Sequence, residues 1–435
     1  MYWNVEKETM DRPSLAKLQI ELLRRTVERA ARSPYYQKVF QKEGLSPASI
    51  RTLDDLRRFS FITKDTLREQ YPYGFLATPK DEIVRLHSSS GTTGRPTVVF
   101  HTANDINEWT ELLARCMYMV GVRKHDVFQN MMGYGLFTGG LGFHYGGERI
   151  GALVIPAGAG NTKRQIMLMT EFHTTVIHII PSYALHFIKT LEEMKIDPKR
   201  DLHLRIAFLG AEPHSEATRK RIEEGLGING YNSYGLSEMC GPGVAFECQE
   251  KQGMHVWEDG YILEVIDPKT REPVKDGDEG ELVFTSLTRE GMPLLRYCTR
   301  DVAVVYPEPC ACGRTHRKIS RIKGRTDDMM IVKGVNMYPI QIEKTLMAIS
   351  GVGSNFQIIL DTKEDNDHMI VKVEVLNDLF TGNLQQLNDL KKRITNELHT
   401  ELLVTPEVEL VEPNALPRSE GKAVRVIDKR DKWGD

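Results

Sequence analysis

The sequence predicts an α/β protein. It reads as a large N-terminal domain of helix-covered, largely parallel sheets with a β-rich subdomain, followed by a small α+β C-terminal domain. Three observations carry this prediction. Between about 84 and 231, short strands that are apolar on both faces alternate with helical segments, as in a parallel sheet covered by helices. Between 256 and 306 the helical segments give way to short β-runs joined by turns. After Gly324-Arg325-Thr326-Asp327-Asp328 the remainder reads as helix, two strands, helix and strand, so the predicted domains are 1–326 and 327–435.

Taken in order, residues 14–60 place Leu15, Leu18, Ile20, Leu22, Leu23 and Val27 at helical spacing and predict a helical cap with no chemistry of its own. Ile83-Val84-Arg85-Leu86 and Thr97-Val98-Val99-Phe100 read as strands on either side of a hydroxyl-rich loop. Ala152-Leu153-Val154-Ile155 stops at Pro156. Thr175–Ile180 stops at Pro181, and Ser182 is the expected cap of the helix that follows. Leu204–Leu209 runs into Gly210-Ala211-Glu212-Pro213, and a helix capped by Ser215 extends to Gly225. Ligands of parallel sheets gather at the carboxyl ends of strands, which places Gly210–Pro213 near a site. Tyr261–Ile266 and Glu281–Phe284 are the clearest later β-runs. In the last domain a helix is expected over 339–350, strands over 355–361 and 368–375, a helix over 384–401 and a strand over 407–411.

A chain of 435 residues exceeds what one core fills, in keeping with this division. Its 40% hydrophobic and 27% charged residues are those of a soluble globular protein, and a net charge of −3 gives no electrostatic case for nucleic acid or an anionic membrane. No apolar run approaches the ~20 residues of a membrane span. Met1–Glu8 carries no export signal, so the expected location is the cytoplasm. Six cysteines in such a chain make no disulfide framework.

The stretch with the most chemistry is Ser88-Ser89-Ser90-Gly91-Thr92-Thr93-Gly94-Arg95-Pro96. Glycines let the backbone approach a ligand, and successive N–H groups with hydroxyls can wrap a polyphosphate. A surface hairpin would use the same residue types. It is not a Walker loop, because Arg95-Pro96 stands where Gly-Lys is required. Three further stretches carry carboxylates or cations: Asn232-Ser233-Tyr234-Gly235-Leu236-Ser237-Glu238, Tyr297-Cys298-Thr299-Arg300-Asp301, and Leu416-Pro417-Arg418-Ser419-Glu420-Gly421-Lys422. Taken singly, each reads equally as a loop or turn.

In this order and spacing the stretches resemble the AMP-forming adenylate enzymes, the family of acyl-CoA synthetases, firefly luciferase and peptide-synthetase adenylation domains. The resemblance covers essentially the whole chain. It implies that Ser88, Ser89, Ser90, Gly91, Thr92, Thr93 and Gly94 hold the phosphates of ATP, with Thr92 among the catalytic residues. It implies Glu238 as the Mg²⁺ ligand, Tyr234 against adenine, and Ser237 on the α-phosphate, within the Asn232-Ser233-Tyr234-Gly235 run. Ala211, Glu212 and Pro213 would line adenine, and Asp301 would accept the ribose hydroxyls. Arg325 would contact ribose or phosphate, and Asp327 would be the hinge of a mobile C-terminal domain. Lys422 would enter the site for adenylation. After rotation, Lys333 and Gly334 would face the acyl-adenylate and help form the channel for coenzyme A.

Within the family, Ser33-Pro34-Tyr35-Tyr36, Gly133-Tyr134-Gly135-Leu136-Phe137-Thr138-Gly139-Gly140, Gly241-Pro242-Gly243-Val244-Ala245 and His255-Val256-Trp257-Glu258-Asp259 are similar to the phenylacetate–CoA ligases. That similarity implies phenylacetate, ATP and coenzyme A as substrates. Benzoate, indoleacetate or a non-CoA acceptor remain as alternatives. It also implies a homodimer. The aryl pocket is expected where Tyr134, Phe137 and Gly139 meet Gly210, because glycine admits a flat ring and aromatic walls favour an aromatic ligand. The alternative for both aromatics is plain core.

Cys248, His255, Cys310 and Cys312 form a set with the ligand chemistry of a structural Zn²⁺ site, with His316 as the alternative fourth ligand. The other reading is three free cysteines in loops.

Overall fold

The computed structural model describes residues 1–89, 96–363, 366–376, 379, 384–417 and 424–430. Ser90, Gly91, Thr92, Thr93, Gly94 and Lys422 lie outside the described residues.

The chain begins with helices whose starts are written in the sequence. Arg12–Ala30 is capped by Asp11, which accepts from the Ser14 N–H, and Pro34–Glu43 by Ser33, which accepts from Tyr36. Leu15, Leu23, Val27, Tyr36 and Phe40 are buried, as expected of the helical cap. Ile83–Ser88 (β1) and Val98–Thr102 (β2) then pair antiparallel in a two-stranded sheet of their own.

The main sheet has a parallel half and an antiparallel half. Val127–Asn130 (β3), Leu153–Ile155 (β4), Val176–Ile179 (β5), Ile206–Gly210 (β6) and Asn229–Leu236 (β7) lie in the order β4-β3-β5-β6-β7, all parallel. Every residue of β5 and β6 is buried, which is what apolarity on both faces predicts. Gly241–Glu247 (β8) turns back antiparallel beside β7. The reversal is tight enough that a Cβ on Gly235 would sit 2.0 Å from the Gly241 carbonyl oxygen. The sheet continues through Met254–Val256 (β9) and Lys318–Ile319 to Tyr297–Tyr306, Glu279–Ser286 and Tyr261–Ile266. The β-rich subdomain is therefore continuous with the parallel sheet.

One cap differs from expectation. Helix Pro181–Glu193 starts at Pro181, whose fixed φ suits the first helical position, so Ser182 falls inside the first turn. Its backbone N–H donates to Glu212 Oε1 at 2.6 Å, which supplies the helix start with a carboxylate from another loop.

Beyond Arg325 a second apolar core forms. Val352–Lys363 and Asn366–Val375 pair antiparallel, with Glu407–Val411 and Val426–Asp428 added parallel on either edge. Helices Pro339–Met347 and Leu384–Leu402 bury Ile342, Leu346, Ile394 and Leu398 against Phe356, Ile358 and Val371. Leu185 and Ala217 of the preceding fold pack against this core from outside.

Candidate active site

The flanks of the hydroxyl-rich loop meet the acidic residue expected to hold a divalent ion. Ser89 follows β1, and its N–H donates to the Thr97 carbonyl at 3.0 Å. The Thr97 N–H and hydroxyl lie 3.1 and 2.9 Å from Ser89 Oγ. That hydroxyl is also 3.3 Å from Glu238 Oε1, so Thr97 links Ser89 to a residue 141 positions further along the chain than itself. Glu238 sits in the single turn Ser237–Met239 directly after β7, and its carbonyl accepts from Arg289 Nη1 at 2.6 Å. Ser237 Oγ is 3.4 Å from Thr138 Oγ1.

Lys64 went unmarked in the sequence. It opens helix Lys64–Glu69, and its Nζ stands 3.8 Å from Glu238 Oε1. Only its place after the capping Thr63 is visible in the chain, and a lysine in a first helical turn has nothing distinctive about it.

A second group assembles four residues before Glu238. The Tyr234 hydroxyl donates to Asp301 Oδ2 at 2.7 Å, and Arg325 Nη1 donates to Asp301 Oδ1 at 2.9 Å. Burial, reinforced by the Asp301 charge, lifts the Tyr234 phenol well above its ordinary pKa, so it remains a donor. Burial opposes the Arg325 charge, but Asp301, Asp327 and Asp328 outweigh it and raise the guanidinium above its usual value. Asp327 accepts from Arg325 Nε at 2.9 Å and from Arg300 Nη1 at 3.1 Å. Asn232 and Ser233 are buried within β7, with the Asn232 N–H on Glu247 Oε2 at 2.7 Å.

Glu212, Pro213, Arg325 and Asp327 line one wall of a cavity of 480 Å³. Glu343, Phe356, Val424 and Arg425 of the C-terminal fold line the opposite wall. Val424 follows Lys422 by two positions. Ala211, which leads into this wall, takes a left-handed φ of 69°.

The residues expected around an aryl group are less enclosed. The Tyr134 hydroxyl accepts from Asn130 Nδ2 at 3.0 Å and lies 3.2 Å from His144 Nδ1. Burial pushes its pKa up to about 12. Phe137 is 52% exposed, and Gly139 begins helix Gly139–Ile150. Gly210 has a packing reason for its missing side chain, because a Cβ there would come within 2.8 Å of the Ser233 carbonyl oxygen on β7. Lys333 and Gly334, with φ of 50° and 78°, turn the hairpin between Met330–Val332 and Val335–Met337. The Lys333 N–H donates to Asp367 Oδ2 at 2.8 Å.

The cysteine set converges. One ligand atom from each of Cys248, His255, Cys310 and Cys312 lies within 4.8 Å of all the others. Cys248 Sγ is 3.6 Å from Cys310 Sγ, and Cys312 Sγ is 3.3 Å from His255 Nε2. Tetrahedral thiolates around zinc are ~3.8 Å apart, so the donors match that ion in type and spacing. His255 turns Nδ1 to the His316 carbonyl at 3.1 Å, which leaves Nε2 facing the thiols. His316 is excluded as the fourth ligand: its Nδ1 accepts from the Glu258 N–H at 3.0 Å and its Nε2 lies 2.9 Å from the Lys7 carbonyl oxygen. The same loop ties down the N-terminus, through Tyr2 Oη to the Cys312 carbonyl at 2.9 Å and Arg314 Nε to Glu8 Oε2 at 2.8 Å.

Comparison with known proteins shows what the whole chain is similar to. The profile described as "AMP-binding enzyme" matches residues 28–288, and "AMP-binding enzyme C-terminal domain" matches 334–430. The chain is 44% identical to a phenylacetate-coenzyme A ligase of Thermus thermophilus over 99% of this chain and 100% of that one. It is 43% identical to that of Pseudomonas putida over 97% and 96%. A crystal structure of 2-hydroxyisobutyryl-CoA ligase in the postadenylation state superposes with a TM-score of 0.93 at 29% identity, covering 98% and 92% of the two chains. The same ligase with coenzyme A in the thioesterification state gives 0.72 at 30% identity, covering 99% and 93%. No described helix is long and apolar enough to cross a membrane.

Proposed function

The chain belongs to the phenylacetate–CoA ligase family of AMP-binding enzymes and is an AMP-forming acid–thiol ligase, and from that premise we propose that its acid is phenylacetate and that the residues gathered around Glu238 and Asp301 run the reaction. The phenylacetate carboxylate attacks the α-phosphorus of ATP, giving phenylacetyl-AMP and diphosphate. The thiol of coenzyme A then attacks the acyl carbon, giving phenylacetyl-CoA and AMP. The contact that carries this reading is Thr97, which brings the base of the hydroxyl loop to Glu238.

Each residue then has a chemical task. Asp301 accepts the ribose hydroxyls, and it is held for this by the Tyr234 and Arg325 donors on its two oxygens. Glu238 and Ser237 face the phosphates, with Lys64 supplying a cation beside them. A carboxylate beside phosphate oxygens suits Mg²⁺, which when bound neutralises charge on the departing diphosphate. Glu212 and Pro213 border adenine. Lys422 places an ammonium between carboxylate and α-phosphate, where negative charge builds at the transition state.

The second half-reaction uses another orientation of the C-terminal domain, residues 327–435, with Asp327 at the hinge and the Lys333-Gly334 turn brought to the acyl-AMP. The better superposition on the postadenylation form supports assigning the present orientation to the adenylation side. Zinc on Cys248, His255, Cys310 and Cys312 is structural, fastening the N-terminal segment. The enzyme is a cytoplasmic homodimer, to be checked by light scattering.

Diphosphate release across a panel of aryl and fatty acids, with and without coenzyme A, tests the assignment. Phenylacetate should give a stoichiometric burst alone and continuous turnover with coenzyme A. A higher rate with benzoate or indoleacetate would replace the acid, and turnover indifferent to coenzyme A would replace the acceptor.

A further inference from the structure

Two helices from opposite sides of the 480 Å³ cavity pack against each other, Glu216–Leu226 from the large fold and Pro339–Met347 from the small one. Each sends one charged side chain to the end of the other. Glu343 of the small fold accepts from the Ser215 backbone N–H at 3.1 Å and from the Thr218 hydroxyl. Ser215 caps Glu216–Leu226, and Thr218 lies in its first turn, where unpaired N–H groups favour an anion. In return, Arg221 of the large fold donates to the Ile349 carbonyl at 3.0 Å and the Val352 carbonyl at 3.1 Å. The Ile349 carbonyl lies just past the end of Pro339–Met347, where the helix dipole favours a cation, and Val352 opens the strand that follows. Thr218, Ser215 and the apolar neighbours Leu185 and Ala217 withdraw the exchange from solvent. Lys189 adds an exposed bridge to Asn414 at 3.0 Å.

Such an exchange is strong while both partners are docked and vanishes when the small fold turns. Charged hydrogen bonds of this kind contribute more than neutral ones, and they are specific to one orientation because both helix ends must be presented together. A contact made in one state and absent from the other biases the equilibrium by its full differential strength. We propose that Glu343 and Arg221 are positioning residues that latch the small domain in the adenylation orientation and must let go before the thiol step. Neither touches the reacting atoms. The latch rests on the two-orientation reading given above and adds the residues that set its balance.

The test separates the half-reactions. Adenylation is read as diphosphate release from phenylacetate and ATP in a single turnover, and transfer as thioester formation from supplied phenylacetyl-AMP and coenzyme A. Glu343→Ala and Arg221→Met should each raise the ratio of transfer to adenylation rate by about tenfold or more, the factor expected when a charged hydrogen bond is lost from one state only. The rise comes through slower adenylation, faster transfer or both, according to how populated each orientation is. Thr218→Val, which changes only the large-fold side, should move the ratio the same way by less. Glu343→Gln keeps an acceptor for Ser215 and should restore part of the change. Lys344→Ala removes a neighbouring ammonium that pairs with Glu401 inside the small fold, and should leave the ratio alone. A ratio unchanged in Glu343→Ala, Arg221→Met and Thr218→Val, or both half-reactions falling together, overturns the latch. Wild-type protein that releases no diphosphate with any acid would instead overturn the ligase reading.

Discussion

Of the contacts that join residues more than a hundred positions apart, two stand in contrast. Thr97 meets Glu238 inside one continuous core, between β2 and the turn after β7. Glu343 meets Ser215 and Thr218 across two separate cores. On the proposed function the first fixes groups that stay in place while charge develops on phosphate, since preorganised electrostatics lose their value if they must reorganise during the reaction. On the same proposal the second joins bodies whose relative position changes between half-reactions. Burial differs less: Glu238 is 5% exposed and Thr97 fully buried, and at the seam Ser215 and Thr218 are buried while Glu343 and Arg221 are half-buried. A site that holds still and a seam that releases call for different chemistry at similar separations in the chain.

The strongest way to break the comparison is to damage the site and see which half-reaction suffers. Lys422→Ala should lower adenylation by about 10²–10³-fold, the scale for removing one electrostatic donor from a transition state. Transfer from supplied phenylacetyl-AMP should change little. Glu238→Gln should reduce adenylation over a similar range, with the loss partly recovered at high Mg²⁺. If either variant slows transfer as much as adenylation, site and seam are not separable. Next in size is Tyr234→Phe. Removing a donor to a buried carboxylate costs about 1.5–3 kcal/mol, so KM for ATP should rise about tenfold or more while the half-reaction ratio stays put. Titration of dependence on ATP at saturating acid reads this directly.

These two kinds of contact also differ in how well they can be read from the chain. Tyr234 and Glu238 sit near the end of β7 and just past it, Asp301 in the middle of Tyr297–Tyr306 and Arg325 at the end of Gly324–Arg325. Each lies in a short run of hydroxyls, glycines and charges that reads singly as a loop or turn and gains a role only from the order and spacing of all the runs. The structure adds their mutual geometry, with Asp301 held on both oxygens. The thiols and imidazole of the metal set were likewise visible by type, but the choice between His255 and His316 needed the tertiary fold, which commits both nitrogens of His316 elsewhere. Glu343, Arg221 and Lys64 look like any charge on an amphipathic helix, and only docking against another helix end or carboxylate gives them a role. Ser182 was misplaced because proline outcompeted serine for the helix start. Gly210 carries a second reason for glycine that the chain does not reveal, its close approach to Ser233.

A smaller effect should come from Lys64→Met. Its Nζ lies 3.8 Å from Glu238 and its side chain is 32% exposed, so solvent screens much of the interaction. A severalfold rise in KM for ATP is expected, with transfer from phenylacetyl-AMP unchanged, because no triphosphate takes part in that step. A rise in the transfer rate would place Lys64 at the seam instead of the site.

The smallest effect on the chemistry should follow removal of the proposed zinc. The cysteine cluster joins the end of β8, β9 and the loop carrying Arg314, and that loop clamps Tyr2 and Glu8. Arg314 and Glu8 form an ion pair with both side chains buried, so loosening the loop would expose one charge or strand the other. Chelation, or Cys312→Ser, should therefore lower the melting temperature by several degrees, since each kcal/mol shifts a chain of this size by only about 2–4 °C or less. The ratio of the half-reactions should stay constant, because neither Glu238 nor Glu343 contacts the clamped segment in the structure. Zinc content measured before and after chelation ties the two readings together. A ratio that shifts with zinc loss at unchanged melting temperature would mean that the cluster governs the seam, and that fixed and releasing regions are coupled through it.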